Sequence, residues 1–311
     1  MLWKTKEKSK SRAGLTLMAG GLYYLELEAQ GRFPSVVQYQ FVSYPKPAMN
    51  QESLVDVSAA VDAIKELSGR IGGFSCPVAL GIPSRDVMMR NIEMPAMELA
   101  MAKEALFWEF EKHFPYPASE ALYDVAPIDL PGPPSELSPL LVVSVRQERI
   151  QPLLDAASLM DIPLSAVEPN STAIFRATMK GFPLQDKGSL LLVVSSDAIQ
   201  IVIGYQESCL FYRAVPFAPG AGSVDAIITR LISEIQATVN YIKTLFRHIQ
   251  IGGIVFAGDR SLKDHVTPRL EQQFQMDVHV ADPWNNWSIS GAPDEPGDSE
   301  AVVGLAVRDM I

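Results

Sequence analysis

The sequence predicts a two-lobed α/β protein, because one order of strands and helix occurs twice in its 311 residues, with a different module between the copies. Alternating and continuous apolar runs indicate the strands, and apolar residues at helical spacing indicate the helices. The first copy has three strands, a helix and a strand at residues 15–18, 22–27, 36–42, 54–67 and 78–82. The second copy repeats this order at residues 190–194, 198–203, 209–215, 224–248 and 253–257.

A duplicated βββαβα unit is the outline of the actin and sugar-kinase architecture, in which two halves face each other across a cleft. The first β-turn of each half holds phosphate in that architecture. We therefore expect an actin-like fold with an inserted αβ subdomain in the first lobe. The expected divisions are a basic tail at 1–12, a first lobe at 13–83 plus 168–186, the inserted subdomain at 84–167 and a second lobe at 187–311.

Composition excludes several classes of function. The net charge of −10 provides no basic field for nucleic acid, and 48% hydrophobic residues are enough for a large core. Cys76 and Cys209 lie far apart in a chain without a secretory signal, which indicates reduced thiols in the cytoplasm. The longest apolar run is far shorter than the roughly 20 residues that span a bilayer, so no transmembrane segment is expected.

The N-terminal residues 1–12 are the exception to the acidic balance. They carry five basic residues and Glu7, after Leu2 and Trp3. Two readings remain open. The tail contacts anionic lipid at the inner membrane, where each basic charge contributes roughly 1 kcal/mol, or it is a solvated tail.

The module between the copies contains a helix predicted at residues 97–113. Met101 and Trp108 lie along one face of this helix, with Leu106 and Phe110 beside them. We interpret this broad apolar stripe as core rather than as a binding groove. The predicted strands, Pro-rich turn and second helix of the module lie at 87–93, 121–130, 131–134, 140–145, 146–160 and 165–167.

The sequence gives little support for a metal site. The four histidines have no metal-ligand spacing with one another or with the cysteines; they are His113, His248, His265 and His279. Four acidic residues near the C-terminus favour a solvated loop over a cation site, because calcium-loop spacing is lacking; they are Asp294, Glu295, Asp298 and Glu300. Trp284 and Trp287 indicate either a contact surface or a loop packed onto the lobe.

Several motifs in a fixed order carry a family resemblance. They are Leu80-Gly81-Ile82-Pro83-Ser84, residues 87–95, Phe114-Pro115, Tyr123-Asp124, residues 142–145 with Ile150, Val167-Glu168-Pro169, Phe175-Arg176-Ala177, Glu234-Ile235-Gln236 with Tyr241, and residues 301–308. Together they resemble the actin-like pilus-assembly proteins of the PilM type, including the shorter MshI-like members, from Gly14 to Arg308.

The resemblance implies a fold related to FtsA, with a 1C-like inserted subdomain, and a cytoplasmic component of a type IV, MSHA or related pilus machine. It implies a protein under the inner membrane that captures the cytoplasmic N-terminal peptide of a PilN-like bitopic membrane protein. It also implies a link from that protein to the pilus assembly ATPase.

The nucleotide-binding turns depart from the family pattern. In nucleotide-binding members an Asp-x-Gly and a lysine order magnesium and neutralise phosphate. Here Thr16 replaces the aspartate, Met18 the glycine and Tyr23 the lysine, and residues 193–195 stand where the second Asp-x-Gly is expected. The family's 2B-like helical subdomain, with its Ala-Glu-x-x-Lys signature, is absent between the strand ending at 215 and the next helix.

Four residues remain as weak nucleotide candidates. Asp197 is the acidic residue nearest the second turn, and Gly258 is what remains of the glycine pair that receives adenosine. Gly220 and Gly222 precede a helix and present N–H groups to an anion, or form a plain turn with Ser223 as N-cap. We favour the turn, since a lone Gly-x-Gly is weak evidence. No catalytic residue, metal or cofactor is expected, and ATP with magnesium is disfavoured.

The favoured hypothesis is therefore a non-enzymatic scaffold with a degenerate nucleotide site. Its peptide site is expected in the cleft between the inserted subdomain and the first lobe, at an edge strand with Met88, Arg90, Ile92 and Met94 as candidate contacts. An active actin-like ATPase of the same fold is the first alternative. The second is a GspL-like cytoplasmic module of type II secretion, a reading that expects a membrane-spanning helix after the domain.

Overall fold

A computed structural model of the chain describes residues 11–30, 33–128, 130–132, 136–182, 186–195, 198–216, 223–294 and 297–310. The chain begins with β1 (Ser11–Met18), β2 (Gly21–Gln30), β3 (Phe33–Ser43), β4 (Met49–Asn50), β5 (Ser53–Leu54), α1 (Val57–Ile71) and β6 (Val78–Ile82). It continues through β7 (Val87–Pro95), α2 (Leu99–His113), β8 (Ala121–Pro127), β9 (Leu137–Arg146), α3 (Gln147–Leu159), β10 (Leu164–Pro169) and α4 (Asn170–Met179). The second half contains β11 (Gly188–Val194), β12 (Ala198–Tyr205), β13 (Ser208–Pro216), α5 (Val224–Leu245), β14 (Ile251–Gly258), α6 (Lys263–Phe274), β15 (Val278–Val280), α7 (Pro283–Asn286) and α8 (Glu300–Ala306).

Two five-stranded sheets of the same topology form the centres of the two lobes. Their strand orders are β10-β6-β1-β2-β3 and β13-β12-β11-β14-β15. In each sheet the first three strands along the chain pair antiparallel, and the other two are parallel. The predicted duplication and the α/β fold class are confirmed.

Helix boundaries follow from local capping. The side chain of Asp56 accepts a hydrogen bond from the Ala59 N–H at 3.0 Å, and α1 ends at Gly72, whose φ of 73° is left-handed. Ser223 caps α5, which ends at Leu245, three residues before the predicted end. Among the described residues, no helix combines the length and the apolar character needed to cross a membrane.

The inserted subdomain is a three-stranded sheet, in the order β7-β9-β8, with α2 on one face. α3 packs against α1, and its Ile150 and Leu153 belong to the core of the first lobe. β10 pairs with β6 from Leu164 onward. α3 thus packs both on α1 and on β9 of the three-stranded sheet, so it joins the inserted subdomain to the first lobe.

The C-terminal part of the chain returns to the first lobe. α8 packs on β1 and α4, and a Cβ at Gly304 would lie 1.8 Å from the Ala173 carbonyl oxygen. Trp284 and Trp287 are buried with strand β2, so the contact-surface reading of these tryptophans is wrong. The predicted second lobe of residues 187–311 thus contributes a helix to the first lobe.

The apolar stripe of α2 is only half core. Leu106 and Phe110 are buried against the three-stranded sheet, as predicted. Met101 and Trp108 are 57% and 85% exposed, so the core interpretation is wrong for their face. The reason is that α2 lies on the outside of the subdomain and packs with its opposite face.

Candidate functional site

The first-lobe turn is occupied by the protein's own polar groups. Thr16, at the position of the family's aspartate, is buried, and its hydroxyl donates to Asn170 Oδ1 at 2.8 Å. The Asn170 amide nitrogen donates in turn to the Leu17 carbonyl at 3.0 Å. The Thr16 hydroxyl is thereby committed to the start of α4 rather than directed toward a ligand.

Apolar side chains fill the space between the two turns. Met18 packs in one buried cluster with Val193 of β11, Ala257 of β14 and Ala301 of α8. Tyr23 stands at the position of the family's lysine, and its ring centroid lies 4.8 Å from that of Phe41. Burial raises the pKa of the Tyr23 hydroxyl. The side chains at these positions therefore supply apolar packing and a neutral phenol, with neither a carboxylate nor a cation for phosphate or magnesium.

Gly258, which remains of the glycine pair that receives adenosine in the family, ends β14, and a carboxylate accepts from its N–H. Gly258 has a φ of 88°, and a Cβ there would lie 2.2 Å from the Val194 carbonyl oxygen. Its N–H donates to Glu300 Oε1 at 3.3 Å. The glycine is thus required by the close approach of β14 to β11, and its N–H is used within the chain.

Two acidic residues lie near this position, the buried Glu300 and the more exposed Asp298. Burial, with a smaller contribution from repulsion by Asp298, raises the pKa of Glu300 to about 6. Burial also raises the pKa of Asp298, with repulsion by Asp259 as the second cause. The solvated-loop interpretation is therefore wrong for Glu300, which is buried, whereas Asp298 keeps an exposed surface, as predicted. No set of three or more metal-ligating side chains occurs among the residues that the structure describes.

The other nucleotide candidates lie outside the described residues. Asp197, Gly220 and Gly222 fall in segments 196–197 and 217–222. β13 ends at Pro216 and α5 begins at Val224, so residues 217–223 are all that joins them. This connection is too short for the helical subdomain that the family inserts there.

A large cleft lies between the inserted subdomain, the first lobe and the β12–β13 turn. Its volume is about 870 Å³. The walls are mainly apolar. They include residues 122–127 of β8 with the following Ile128, Leu141, Val143 and Val145 of β9, Ile150 and Leu154 of α3, residues 167–169 of β10, and Phe175 and Met179 of α4. The size and the apolar lining are typical of a ligand or peptide site.

Two sheet edges border this cleft. β8 is the last strand of the three-stranded sheet, and all of its residues from Leu122 to Pro127 line the cleft. β10 is the last strand of the first-lobe sheet, and its Val167 is 37% exposed there. An edge strand offers backbone N–H and C=O groups for an added strand.

The predicted candidate contacts on β7 lie elsewhere. β7 is an edge strand, as expected, but its Asn91 side chain donates to the Leu210 carbonyl of β13 at 2.8 Å. Ile92 and Met94 are buried under α2, and Met88 packs beside them. Arg90 is exposed and donates to its neighbour's carbonyl. These four side chains are absent from the cleft lining, because β7 faces α2 and the second lobe.

One ion-pair cluster forms the polar end of the cleft. The two oxygens of Glu168 accept from Arg176 at 2.7 and 2.8 Å, in a bidentate pair, and one oxygen also accepts from Arg308 at 3.0 Å. Lys180 Nζ lies 3.7 Å from the Trp287 ring centroid. The cluster fixes α4 and the end of the chain to β10, and it places charged groups beside an apolar wall.

The sequence motifs contained a signal for this cleft. Most of the stretches that carry the family resemblance contribute to its lining, and the largest shares include those of Tyr123-Asp124, Val167-Glu168-Pro169 and Phe175-Arg176. These three come from three different elements, β8, β10 and α4. These stretches are distant in the sequence and come together only in the folded chain. Local sequence patterns therefore did not indicate this wall of the cleft, and contacts on β7 were predicted instead.

Comparisons with known proteins agree with this architecture. A profile of the family "Type IV pilus assembly protein PilM" matches residues 20–230, more than half of the chain. A search of curated protein sequences finds no match. The fold is similar to a solved PilM-PilN type IV pilus biogenesis complex, with a TM-score of 0.78, 19% identity, and coverage of 97% of this chain and 99% of the other.

Two further structures are more distant. The cytoplasmic domain of EpsL, an inner-membrane component of the type II secretion system of Vibrio cholerae, has a TM-score of 0.50 and 13% identity, over 80% of this chain and 82% of that one. MreB5 of Spiroplasma citri bound to AMPPNP has a TM-score of 0.51 and 10% identity, over 98% and 97%. The fold is therefore actin-like.

Proposed function

The chain belongs to the family of the type IV pilus assembly protein PilM, and on that premise we propose that it is a non-enzymatic scaffold that binds an extended peptide in the cleft beside β8. The peptide is the cytoplasmic N-terminal segment of a PilN-like bitopic membrane protein. The scaffold acts in the cytoplasm at the inner membrane and links this protein to the assembly ATPase. The observation that carries the proposal is the edge of β8, which runs along an apolar cleft of about 870 Å³.

β-strand addition explains how such a cleft recognises a peptide. Backbone groups of the peptide pair with the edge of β8, and alternate side chains enter the apolar wall of β9, α3 and α4. The backbone pairing supplies affinity, and the wall selects apolar side chains. The structure of a relative described as a PilM-PilN complex supports a partner of this type.

The geometry of the turns supports a scaffold without a working nucleotide site. Thr16 is hydrogen-bonded to Asn170, Met18 is buried between the lobes, and Glu300 accepts from the Gly258 N–H. A phosphate placed beside the Gly258 N–H would meet the buried Glu300 carboxylate, which repels it. The residues present therefore do not fit magnesium and ATP.

Isothermal titration with the peptide and with Mg-ATP tests both parts of the proposal. We expect binding of the peptide and no heat from Mg-ATP. Val167→Asp places a charge on the cleft wall. We expect this substitution to raise the Kd for the peptide at least about tenfold. The matched control is Val55→Asp, since Val55 is 58% exposed and outside the cleft lining. Equal losses in both variants, or tight binding of Mg-ATP, would overturn the proposal.

A further inference from the structure

The outward side of α2 is an exposed apolar surface that no element of the described residues covers. Met101, Glu104, Trp108 and Glu111 follow one another at intervals of three and four residues, so they form one stripe, the outer face of α2. Phe107 lies beside the stripe, and the centroid of its ring is 5.4 Å from the centroid of the Trp108 ring. Trp108 is 85% exposed, which is unusual for the side chain with the largest apolar surface.

The outer face of α2 is separated from the cleft by the three-stranded sheet. Leu140 and Val142 of β9 point to α2, whereas Leu141 and Val143 point to the cleft. This alternation is the ordinary period of a strand. The subdomain therefore has two independent surfaces, and an occupant of the outer face neither blocks the cleft nor needs it.

The charge on this side of the subdomain is negative. Within the part of the chain that the structure describes, Glu104 and Glu111 form no ion pair. The basic residues of α2 are already engaged, Lys103 with Asp124 at 3.0 Å and Lys112 with Glu109 at 2.8 Å. The apolar stripe is thus interleaved with carboxylates that lack a cation.

We propose that the outer face of α2 binds a Lys- or Arg-bearing amphipathic helix of a protein partner. Apolar residues of that helix pack beside Met101 and Trp108, and its basic residues pair with Glu104 and Glu111. The 15 residues of α2 span roughly 22 Å, so the partner helix has about four turns. The same carboxylates repel other negative charges. They therefore disfavour both a second copy of this chain and an anionic membrane surface as the occupant of this face.

A synthetic peptide pair tests the proposal on the full chain. The probe is a helical peptide of about 15 residues with Leu at helical spacing and Lys elsewhere, and the matched peptide carries Glu in place of Lys. Fluorescence anisotropy measures the Kd. We expect the Lys peptide to bind, and Trp108→Ala to weaken it at least about tenfold. Leu159→Ala, at an 87% exposed residue of α3, is the control and is expected to have no effect.

Charge reversal distinguishes recognition from general attraction to an acidic protein. In the double variant Glu104→Lys and Glu111→Lys, we expect the preference to pass from the Lys peptide to the Glu peptide. Circular dichroism checks that each variant is folded. The proposal is overturned if the Trp108→Ala protein binds as the parent does, or if the parent does not discriminate between the peptides. It is also overturned if Trp108→Ala instead abolishes a dimer in sedimentation or binding to phosphatidylserine vesicles.

Discussion

Glu300 offers a direct test of how the contact between α8 and the end of β14 is stabilised. We expect Glu300→Gln to stabilise the protein at neutral pH. The carboxylate is buried, its pKa is raised from 4.5 to about 6, and it accepts from the Gly258 N–H. Glutamine retains an oxygen for that hydrogen bond and carries no charge. At 1.36 kcal/mol for each pH unit, the gain is about 2 kcal/mol above the folded-state pKa.

The sign of the pH dependence follows from the two pKa values. The folded protein holds the Glu300 proton to a higher pH than the unfolded chain does. The stability that this proton provides is fully present below pH 4.5 and is lost as the pH rises through about 6. At pH 4.5 the free energy of unfolding of Glu300→Gln should therefore be close to that of the parent. At pH 7.5 it should exceed the parent's by about 2 kcal/mol.

Urea unfolding followed by circular dichroism at the two pH values measures this difference. Glu148→Gln, at an exposed residue of α3, is the matched control, and we expect little change from it. A loss of stability in Glu300→Gln at pH 7.5 would refute the reasoning. That result would mean that the charge itself is stabilised, by a cation or by more hydrogen bonds than the Gly258 N–H supplies.

Three further substitutions and measurements test the packing around the site. Gly304→Ala should cost at least about 2 kcal/mol in urea unfolding, because the new Cβ would lie 1.8 Å from the Ala173 carbonyl oxygen. Asn170→Ala should cost about 1 to 3 kcal/mol by leaving the Thr16 hydroxyl without its partner, and the loss should shrink in a Thr16→Val background. Cys209 should resist a thiol reagent at pH 8 until the protein is denatured, because burial raises the pKa of its thiol to about 12, which mass spectrometry of the labelled residue checks.

The duplicated elements were predictable because each contains its own signal. β11 and β12 are buried along their whole length and read as continuous apolar strands, and α1 has an N-cap at Asp56 and a glycine end. The lost turn residues were also visible, since Thr16 and Met18 occupy positions that the family pattern fixes. Such information is local, so periodicity and alignment are enough to find it.

The strand that lines the cleft and the return of α8 were not predictable from local patterns, although a cleft between the inserted subdomain and the first lobe was expected. Which edge of the three-stranded sheet is open depends on β13 covering β7, a contact between residues more than a hundred positions apart, as in the bond from Asn91 to Leu210. The burial of Glu300 likewise depends on α8 crossing to the first lobe. An acidic, Pro- and Gly-containing segment reads as a solvated loop until its tertiary neighbours are known.

The proposed peptide cleft and the two turns are built from different elements of the fold. The turns belong to the duplicated strands β1, β11 and β14, whereas the cleft is built from the inserted β8 and β9 and from α3, β10 and α4. Met18 packs in one buried cluster with Val193 of the second lobe, and Thr16 donates to Asn170 within the first lobe, so neither side chain belongs to the cleft lining. The β12–β13 turn of the second lobe forms one wall of the cleft. Under the proposed function, changes in the turn residues are therefore compatible with peptide binding beside β8.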